Sequence, residues 1–477
     1  MEFAIPLSKG GEPLFRQVYI GLRDAIFSGV FAPGTRLPST RELAEQLGVS
    51  RTVVLLAYDQ LLAEGYAEGQ RGSGTFVSQS LERERTRKPK KTTNIRLSQF
   101  GNAAADASEK LEWPNRPPAQ LPYNFAFGRS DMTVFPFESW RRILMHHALN
   151  TSVRELDYAP AAGVPALRDA ICVHLRRSRA VVCEPSEVIV VNGAQQALDL
   201  VVRVLVERGD AVAVEDPLYQ GAREVLRAAG ARLVPVPVDR DGLDPAKLPL
   251  GAKAVFVTPS HQFPTGAILP LARRLALLAW ARSNNAVIIE DDYDGEFHYD
   301  GRPLESLQGL DTEGRTVYMG TFSRTVFPAL RIGYLVVPKS LVPAFATAKW
   351  LSDQHSASLE QRALAEFITS GMYERHLRQL RRRNTARRDA LIEAIGKYLG
   401  ERVEMTGAGA GSHILLWPAK DISEDAAIAQ AASHGVGIYG IARYYLRAGH
   451  RTGLMLGYST TSEDQIQKGI RALAKVL

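Results

Sequence analysis

The chain has 477 residues, a length that suits two or three domains better than one. Hydrophobic residues make up 45% and charged residues 23% of the sequence, which is typical of a globular protein and excludes a disordered or fibrous chain. The net charge of +7 permits nucleic-acid binding without deciding it, and the two cysteines exclude a disulfide framework.

The N-terminal sequence "MEFAIPLSKGGEPLF" lacks the basic start and long apolar run of a signal peptide. A membrane-spanning helix needs about 18 consecutive apolar residues, and the sequence has no such run. We therefore expect a cytoplasmic protein that does not enter a membrane.

Residues 1–78 predict a small domain of three helices and a hairpin. "PLFRQVYIGLRDAIFSGV" repeats apolar residues at nearly helical spacing, and Ser39 and Gly48 can begin and end the helix "TRELAEQLG". Ser50 can cap a third helix, "RTVVLLAYDQLLAEG", after the tight turn "LGVS". This spacing is that of a helix-turn-helix, and "YAEGQRGSGTFVS" then predicts a wing of two short strands.

A generic helical hairpin is the alternative, but the order of the elements and the arginines favour DNA binding. Arginines are expected at exposed positions 36, 41, 51 and 71. The motifs "PGTRLPSTRELA", "GVSRTVVLLAY" and "GSGTFV" resemble the winged helix-turn-helix of GntR-type regulators over residues 12–78. The resemblance implies double-stranded operator DNA as a partner. It implies these DNA-binding residues: Arg41, Ser50, Arg51, Thr52, Gly72 and Gly74. Which arginine reads bases and which contacts phosphate stays open.

Residues 79–122 predict a linker or exposed arm. "SLERERTRKPKKTTN" is charged and mostly basic, and "WPNRPPAQLP" is rich in proline. Such segments have little apolar surface to bury. The large domain is therefore expected at 123–477.

The large domain alternates strand and helix patterns. Buried strands are predicted at "EVIVV", "AVAVE", "RLVPVPV", "KAVFVTP", "AVIIEDD", "TVYMGTF" and "IGYLVVP", with helical patterns between several of them. This alternation predicts an α/β fold with a mostly parallel sheet. Ligands in such folds bind at the carboxyl ends of the strands, so the polar residues there are the candidate site.

Several strand ends carry groups that can hold a phosphate. "VVNGAQQALDL" places the N–H groups of residues 193–195 at a helix N-terminus, where anions bind. "MGTFSRTVFPALRIGY" adds two hydroxyls and an arginine. Asp291, just past another strand, can pair with a protonated pyridine nitrogen, so the set describes a pyridoxal-phosphate pocket. His261 in "VTPSHQFPTG" is interpreted as structural, and no metal site is predicted.

The order of the motifs "NGAQQALDL", "EDPLY", "TPSHQFPTG", "EDDYDGEFHYDGRP" and "GTFSRTVFPALRIGY" resembles the fold-type I aminotransferase domain. With the DNA-binding head, it resembles the MocR/GabR subgroup of GntR-type regulators, in which the two are fused. The resemblance implies pyridoxal 5′-phosphate as the cofactor. It implies these cofactor-binding residues: Gly193, Ala194, Gln195, Tyr219, Asp291, Tyr293, Thr321, Ser323, Arg324 and Arg331.

Individual roles follow from the same resemblance. Asp291 would pair with the pyridine nitrogen and Tyr293 with the phenolic oxygen, while Tyr219 would pack against the ring. Arg443, in "GIARYYL", matches the place where such proteins hold the carboxylate of an effector. A surface arginine is the alternative for Arg443.

Arg324 departs from the family pattern, which has there the lysine that bonds to the cofactor aldehyde. A lysine amine can lose its proton and attack a carbonyl, whereas a guanidinium stays charged and is a poor nucleophile. We therefore predict no internal aldimine, non-covalent cofactor binding if any, and no catalytic residue. With the pocket empty, Arg324 is expected to pair with Asp291. The sequence leaves open whether the arginine is natural or introduced.

The resulting hypothesis is a DNA-binding transcriptional regulator whose aminotransferase-like domain senses pyridoxal phosphate or an amino-acid-like effector. The resemblance implies a homodimer, head-to-tail with exchanged heads. The alternatives are a class I aminotransferase with an accessory DNA-binding head, inactive in this form, and an interaction protein with a degenerate body. The effector, the operator and the sign of regulation are not readable from the sequence.

Overall fold

A computed structural model of the chain describes residues 5–8, 11–70, 72–81, 95–108, 121–299 and 305–477. The chain divides into two compact units, Met1–Arg96 and Leu97–Leu477. Arg71 and much of the predicted linker lie outside the described residues. Within the described ranges, no helix is both long and apolar enough to cross a membrane.

The first unit has the predicted three helices and wing. Its elements are α1 (Leu14–Ser28), α2 (Thr40–Leu47), α3 (Arg51–Ala63), β1 (Ala67–Gln70) and β2 (Gly74–Val77). Ser39 and Glu42 form a capping box that begins α2, and Gly48 ends it with φ 63°. A core that includes the fully buried Leu22 and Leu61 holds the helices together. Helices this short are not stable on their helix propensity alone, so their stability comes from packing in this core.

The second unit alternates helices and strands. Its helices are α4 (Gln99–Ser108), α5 (Phe137–Asn150), α6 (Pro165–Arg179), α7 (Ala194–Leu205), α8 (Gln220–Ala228), α9 (Leu271–Ser283), α10 (Leu307–Leu310), α11 (Val342–Asp353), α12 (Ser358–Thr369), α13 (Met372–Tyr398), α14 (Glu424–Ser433) and α15 (Glu463–Leu473). Its strands are β3 (Tyr123–Asn124), β4 (Val188–Val191), β5 (Ala211–Asp216), β6 (Arg232–Asp239), β7 (Gly242–Leu243), β8 (Ala254–Val257), β9 (Val287–Asp291), β10 (Thr316–Thr321), β11 (Gly333–Val336), β12 (Val403–Thr406), β13 (His413–Pro418), β14 (Val436–Gly437), β15 (Tyr439–Gly440) and β16 (Leu454–Gly457).

The main sheet has eight strands in the order β4-β11-β10-β9-β8-β5-β6-β7. Strands β10, β9, β8, β5 and β6 are parallel, whereas β11 is antiparallel to both of its neighbours and β7 pairs antiparallel with β6. The central strands are continuous apolar runs, because helices cover both faces of such a sheet. The prediction of an α/β fold with a mostly parallel sheet is confirmed.

A smaller antiparallel sheet follows in the last third of the chain, with strand order β12-β13-β16-β15. Its core combines residues of this sheet with residues of the long α13 and of α15, including the fully buried Leu391, Ile414, Leu456 and Ile470. These side chains recur at alternating strand positions and at helical spacing, so one apolar face of each element meets the others.

The helix α4 lies within the segment that the sequence predicts as a linker. It packs against α8, and the Arg208 guanidinium donates a hydrogen bond to the side-chain oxygen of Gln99. Its sequence "QFGNAAADAS" contains alanines, which favour helix, although the composition of the surrounding segment indicates an exposed arm. Part of 79–122 is therefore ordered against the large domain, which the composition did not predict.

Candidate functional site

The candidate site lies where β5, β9 and β10 end. Asp291 is the last residue of β9 and Thr321 is the last residue of β10, and β9 and β10 run parallel with Met319 opposite Asp291. Parallel strands bring their carboxyl ends to one edge of the sheet. The order of the strands therefore gathers residues that are far apart in the sequence.

A glycine and an arginine shape the predicted phosphate-binding part. Gly193 begins α7 with φ 84°, and a Cβ there would lie 2.5 Å from Nη2 of Arg331. The same Nη2 donates to the carbonyl of Asn192 at 2.9 Å. The N–H of Gly193 donates to the carbonyl of Val191 at 2.9 Å. Its use as a phosphate donor stays a prediction.

The other predicted phosphate residues lie around this turn. Thr321 Oγ1 donates to Ser323 Oγ at 3.0 Å and accepts the N–H of Ser323 at 3.1 Å, so the two hydroxyls are adjacent. Ala194 and Gln195 form the first turn of α7. The side chain of Gln195 donates to Gly221 at 3.3 Å. These contacts fix the loops around a helix N-terminus, a place that favours anions.

Asp291 is a buried carboxylate without a protein partner for one oxygen. Its side chain is buried, and Oδ1 has no hydrogen-bond partner among the described residues. Burial and, second, the nearby charge of Asp292 raise the pKa of Asp291 to about 7, and Arg324 opposes them. A buried unsatisfied carboxylate is costly, so an added cationic donor at this position would be stabilised.

Aromatic side chains line the space next to Asp291. The hydroxyl of Tyr293 lies 3.1 Å from Nδ1 of His261, and the ring of Phe263 contacts those of Tyr293 and Tyr219 edge-on, at 6.1 Å each. Tyr219 is 40% exposed, so part of its ring remains accessible. Its hydroxyl donates to Oε1 of Gln195 at 3.4 Å, which joins the ring-binding and phosphate-binding parts.

Arg324 pairs with Asp294, not with Asp291 as the sequence analysis expected. Its Nε lies 3.8 Å from Oδ1 of Asp294, and its guanidinium carbon lies 5.8 Å from the ring centroid of Tyr293. Asp291 forms no ion pair within 4.0 Å in the described part of the chain, although it lies within the electrostatic field of Arg324. The turn after β9 brings Asp294 back to the site, which the spacing of the motif does not reveal.

Arg443 lies in a short helical turn at the edge of the site. It is exposed, and its carbonyl accepts a hydrogen bond from Arg223 at 2.8 Å. The next carbonyl, of Tyr444, accepts the N–H of Leu218 at 3.0 Å, next to Tyr219. The structure therefore brings the Arg443 segment to the predicted ring-binding residues.

The sequence analysis missed a buried cluster beside Arg324. His261, Asp294 and His413 offer possible metal-ligand atoms that all lie within 4.8 Å of one another. Burial lowers the pKa of His261 to about 4 and that of His413 to about 3, so both imidazoles are neutral at pH 7. Arg324 already places a positive charge beside Asp294. His413 comes from β13, far along the chain, so no local motif signals it.

In the first unit, the structure places the predicted DNA-binding residues on two surfaces. Arg41, Ser50, Arg51 and Thr52 are exposed at the beginnings of α2 and α3, and Gly72 and Gly74 are in the wing with φ 80° and 114°. The Ser50 hydroxyl caps α3 by accepting the N–H of Val53 at 3.4 Å. Nε of Arg51 donates to the Thr40 hydroxyl at 3.3 Å. Arg51 is otherwise exposed, at the first position of α3.

Two protein families match the two units. Residues 14–77 match the bacterial regulatory proteins of the gntR family, and residues 125–473 match the aminotransferases of class I and II. The probable rhizopine catabolism regulatory protein MocR of Rhizobium meliloti is 38% identical over 97% of this chain and 93% of its own. The chain belongs to the MocR subgroup of GntR-type transcriptional regulators. Its second unit is a fold-type I aminotransferase-like domain, and this fold family binds pyridoxal phosphate.

Two further relatives of this MocR-type regulator bear on its ligand. The pyridoxine biosynthesis regulator PdxR of Corynebacterium glutamicum is 32% identical over 94% of this chain and 92% of its own. The α-aminoadipate aminotransferase LysN of Thermus thermophilus, solved with N-(5′-phosphopyridoxyl)-L-leucine, is 26% identical and superposes with a TM-score of 0.71 over 80% of this chain and 98% of its own. Relatives thus include both regulators and enzymes on one fold.

Proposed function

We propose that the aminotransferase-like domain of this regulator binds pyridoxal phosphate, or an adduct of it with an amino acid, without a covalent bond to the protein. The observation that carries the proposal is the buried unpaired oxygen of Asp291 in a site that also contains Arg324. Asp291 presents a buried unpaired oxygen, and Gly193 leaves the room that the Arg331 guanidinium occupies. Both features fit a ring with a basic nitrogen at one end and a phosphate at the other.

Each residue has a role in that proposal. Asp291 would hold the protonated ring nitrogen, and the pair Tyr293 and Tyr219 would contact the phenolic oxygen and the ring face. The phosphate would be held by Ala194, Gln195, Thr321, Ser323 and Arg331, and Arg443 would hold the carboxylate of an amino-acid-like effector. When bound, the cofactor supplies an aldehyde and an electron-withdrawing ring. Arg324 has no free amine with which to use that aldehyde.

An aminotransferase is the second candidate function, and the site argues against it. Transamination in this fold needs a group that bonds to the aldehyde and then moves a proton. A guanidinium with a pKa above about 12 does neither at neutral pH. The buried imidazoles of His261 and His413 are also committed, since they lie 3.4 Å from the Gly407 carbonyl and 2.9 Å from the Pro264 carbonyl. Regulation through ligand binding needs neither step.

Titration with pyridoxal phosphate tests the cofactor part of this proposal. Calorimetry should show saturable binding, while absorbance and borohydride reduction should show no covalent bond to the chain. Binding should also shift the salt dependence or affinity of DNA binding, measured on duplexes selected from a random library. A protein that binds no pyridoxal phosphate by calorimetry would require another effector.

The DNA-binding part predicts a large effect of Arg51→Gln. Arg51 is exposed at the first turn of α3, and the loss of a bidentate base contact or a phosphate contact costs about 1–3 kcal/mol. We expect about 5- to 100-fold weaker binding to a selected duplex, measured by fluorescence anisotropy at fixed salt. Arg16→Gln, at an exposed arginine of α1, is the matched control and should change affinity less than about 2-fold. Equal losses in both variants would place recognition elsewhere.

We also propose a homodimer through an exposed apolar face. Leu149, Val153, Leu156 and Tyr158 are 72–85% exposed. The ring of Tyr158 lies 5.9 Å from that of His355, so the face continues towards the end of α11. Exposed patches of this kind mark protein interfaces, and a dimer carries two heads for paired half-sites. The head-to-tail arrangement with exchanged heads stays a prediction.

The apolar face predicts that Leu156→Asp dissociates the dimer. A charge buried in an apolar interface without a partner costs several kcal/mol, enough to weaken association by about 100-fold or more. Sedimentation velocity over a concentration series measures the effect. Leu250→Asp, at a leucine that is 87% exposed in another loop, is the control. If the unaltered chain is monomeric, or if both variants remain dimeric, this face is not the interface.

A further inference from the structure

The guanidinium of Arg324 has an unused donor inside the candidate site. Nη1 is buried and has no hydrogen-bond partner among the described residues. Nε, on another side of the group, lies 3.8 Å from Oδ1 of Asp294. A buried cationic N–H without an acceptor is costly, so an acceptor supplied at this position would be stabilised.

Backbone contacts position the Arg324 segment, and Gly128 lies against the guanidinium. The Ser130 hydroxyl donates to the backbone carbonyl of Arg324, and to that of Ser323 at 3.4 Å. Gly128 has φ 77°, and a Cβ there would lie 3.1 Å from Nη1 and 3.4 Å from Nη2. Without a Cβ at Gly128, space is left beside the two terminal nitrogens, and Nη1 stays buried. Asp294 orients the fork from the Nε side, as carboxylates behind ligand-binding arginines do.

The charges around Arg324 indicate what the acceptor is. His261 and His413 are neutral at pH 7, since burial lowers the pKa of both. Asp294 faces Nε, and in the proposed pocket Asp291 would hold the ring nitrogen. A planar pair of terminal N–H groups matches a carboxylate, which it binds with two parallel hydrogen bonds.

We infer that the pocket prefers a vitamin B6 phosphate that carries a carboxylate where pyridoxal phosphate carries its aldehyde, with Arg324 binding that carboxylate. This inference rests on the proposed cofactor pocket, in which position 324 faces the aldehyde carbon. An arginine there turns a position that reacts with a carbonyl into one that recognises an acid. The same carboxylate chemistry is available in two ligands, 4-pyridoxic acid 5′-phosphate and a phosphopyridoxyl amino acid, whose carboxylate lies further from the ring.

Calorimetry with three probes tests the inference: 4-pyridoxic acid 5′-phosphate, phosphopyridoxyl-alanine and pyridoxine 5′-phosphate, an alcohol without the acid. We expect 4-pyridoxic acid 5′-phosphate to bind about 10- to 100-fold more tightly than the alcohol, as charge-assisted hydrogen bonds provide. Arg324→Gln should remove that preference while affinity for the alcohol changes less than about 3-fold, which also shows a folded pocket. Arg177→Gln, at an exposed arginine on α6, should keep the preference.

The outcomes separate this inference from the proposed function. If the alcohol binds but 4-pyridoxic acid 5′-phosphate binds no better, or if Arg324→Gln keeps the preference, the proposed role of Arg324 is wrong. The proposed cofactor pocket is not contradicted by either result. If only phosphopyridoxyl-alanine is preferred and Arg324→Gln leaves that preference intact, another residue binds the carboxylate of the ligand. The inference is then also wrong. If none of the three probes binds, both the inference and the pocket are wrong.

Discussion

The Arg324→Lys variant is expected to bond covalently to pyridoxal phosphate and to shift its visible absorption to longer wavelength, whereas the unaltered chain binds it without that shift. The substitution places a primary amine where the guanidinium now lies, beside Asp294 and two neutral histidines. An amine that loses its proton condenses with the aldehyde and releases water, and the shift of the visible absorption reports the new C=N bond. We expect near-complete covalent modification in the variant, detected after borohydride reduction by mass spectrometry, and essentially none in the unaltered chain.

Two controls decide how that result is interpreted. Arg324→Gln also removes the guanidinium but adds no amine, so it should bind the cofactor without the shift in absorption. Lys349 is buried and forms an ion pair with Asp353, so it is a second lysine whose modification must be excluded by peptide mapping. A reducible bond in the unaltered chain would show that another lysine reacts. If Arg324→Lys binds the cofactor without the shift in absorption, position 324 does not face the aldehyde.

The parts of this protein that the sequence predicted are those in which local pattern and tertiary structure agree. The buried strands are continuous apolar runs, and the turn residues Ser39 and Gly48 begin and end α2 as predicted. Placement of Asp291 and Thr321 at one sheet edge follows from parallel strands alone. No pattern of this kind depends on contacts between distant segments.

The details of the site could not be predicted because they depend on how turns fold back. Asp291 and Asp294 are three residues apart, and only the turn after β9 decides which of them meets Arg324. His413 comes from a different sheet, and no spacing rule connects it to His261. The N–H of Gly193 donates to the carbonyl of Val191 through the geometry of one turn. Residue types at strand ends thus predict the kind of chemistry, and packing decides which atoms remain available for it.

The carboxyl groups at the strand ends make the stability of the fold pH-sensitive. Burial raises the pKa of Glu215, Glu290 and Asp291 to about 7 each. The folded chain therefore binds more protons than the unfolded chain between about pH 4 and pH 7. Stability from these groups is greatest below about pH 4 and is lost as the pH rises through about 7. Asp292, which pairs with Arg179 at 2.7 Å, has a lowered pKa and the opposite dependence.

Asp291→Asn is expected to stabilise the empty protein and weaken cofactor binding together. An amide cannot ionise, so the free energy of unfolding should rise by up to about 4 kcal/mol at about pH 8.5 and by less at about pH 5.5. The same amide cannot hold a protonated ring nitrogen, so affinity for pyridoxal phosphate should fall by about 10-fold or more. Denaturant unfolding at both pH values and calorimetry measure the two effects.

Asp292→Asn is the neighbouring control, and it should destabilise the protein by about 3–5 kcal/mol because it leaves Arg179 buried without its partner. If Asp291→Asn is less stable than the unaltered chain at high pH, the Asp291 carboxylate stabilises the fold. The proposal that this carboxylate lacks a partner and binds a cationic ring nitrogen would then be wrong.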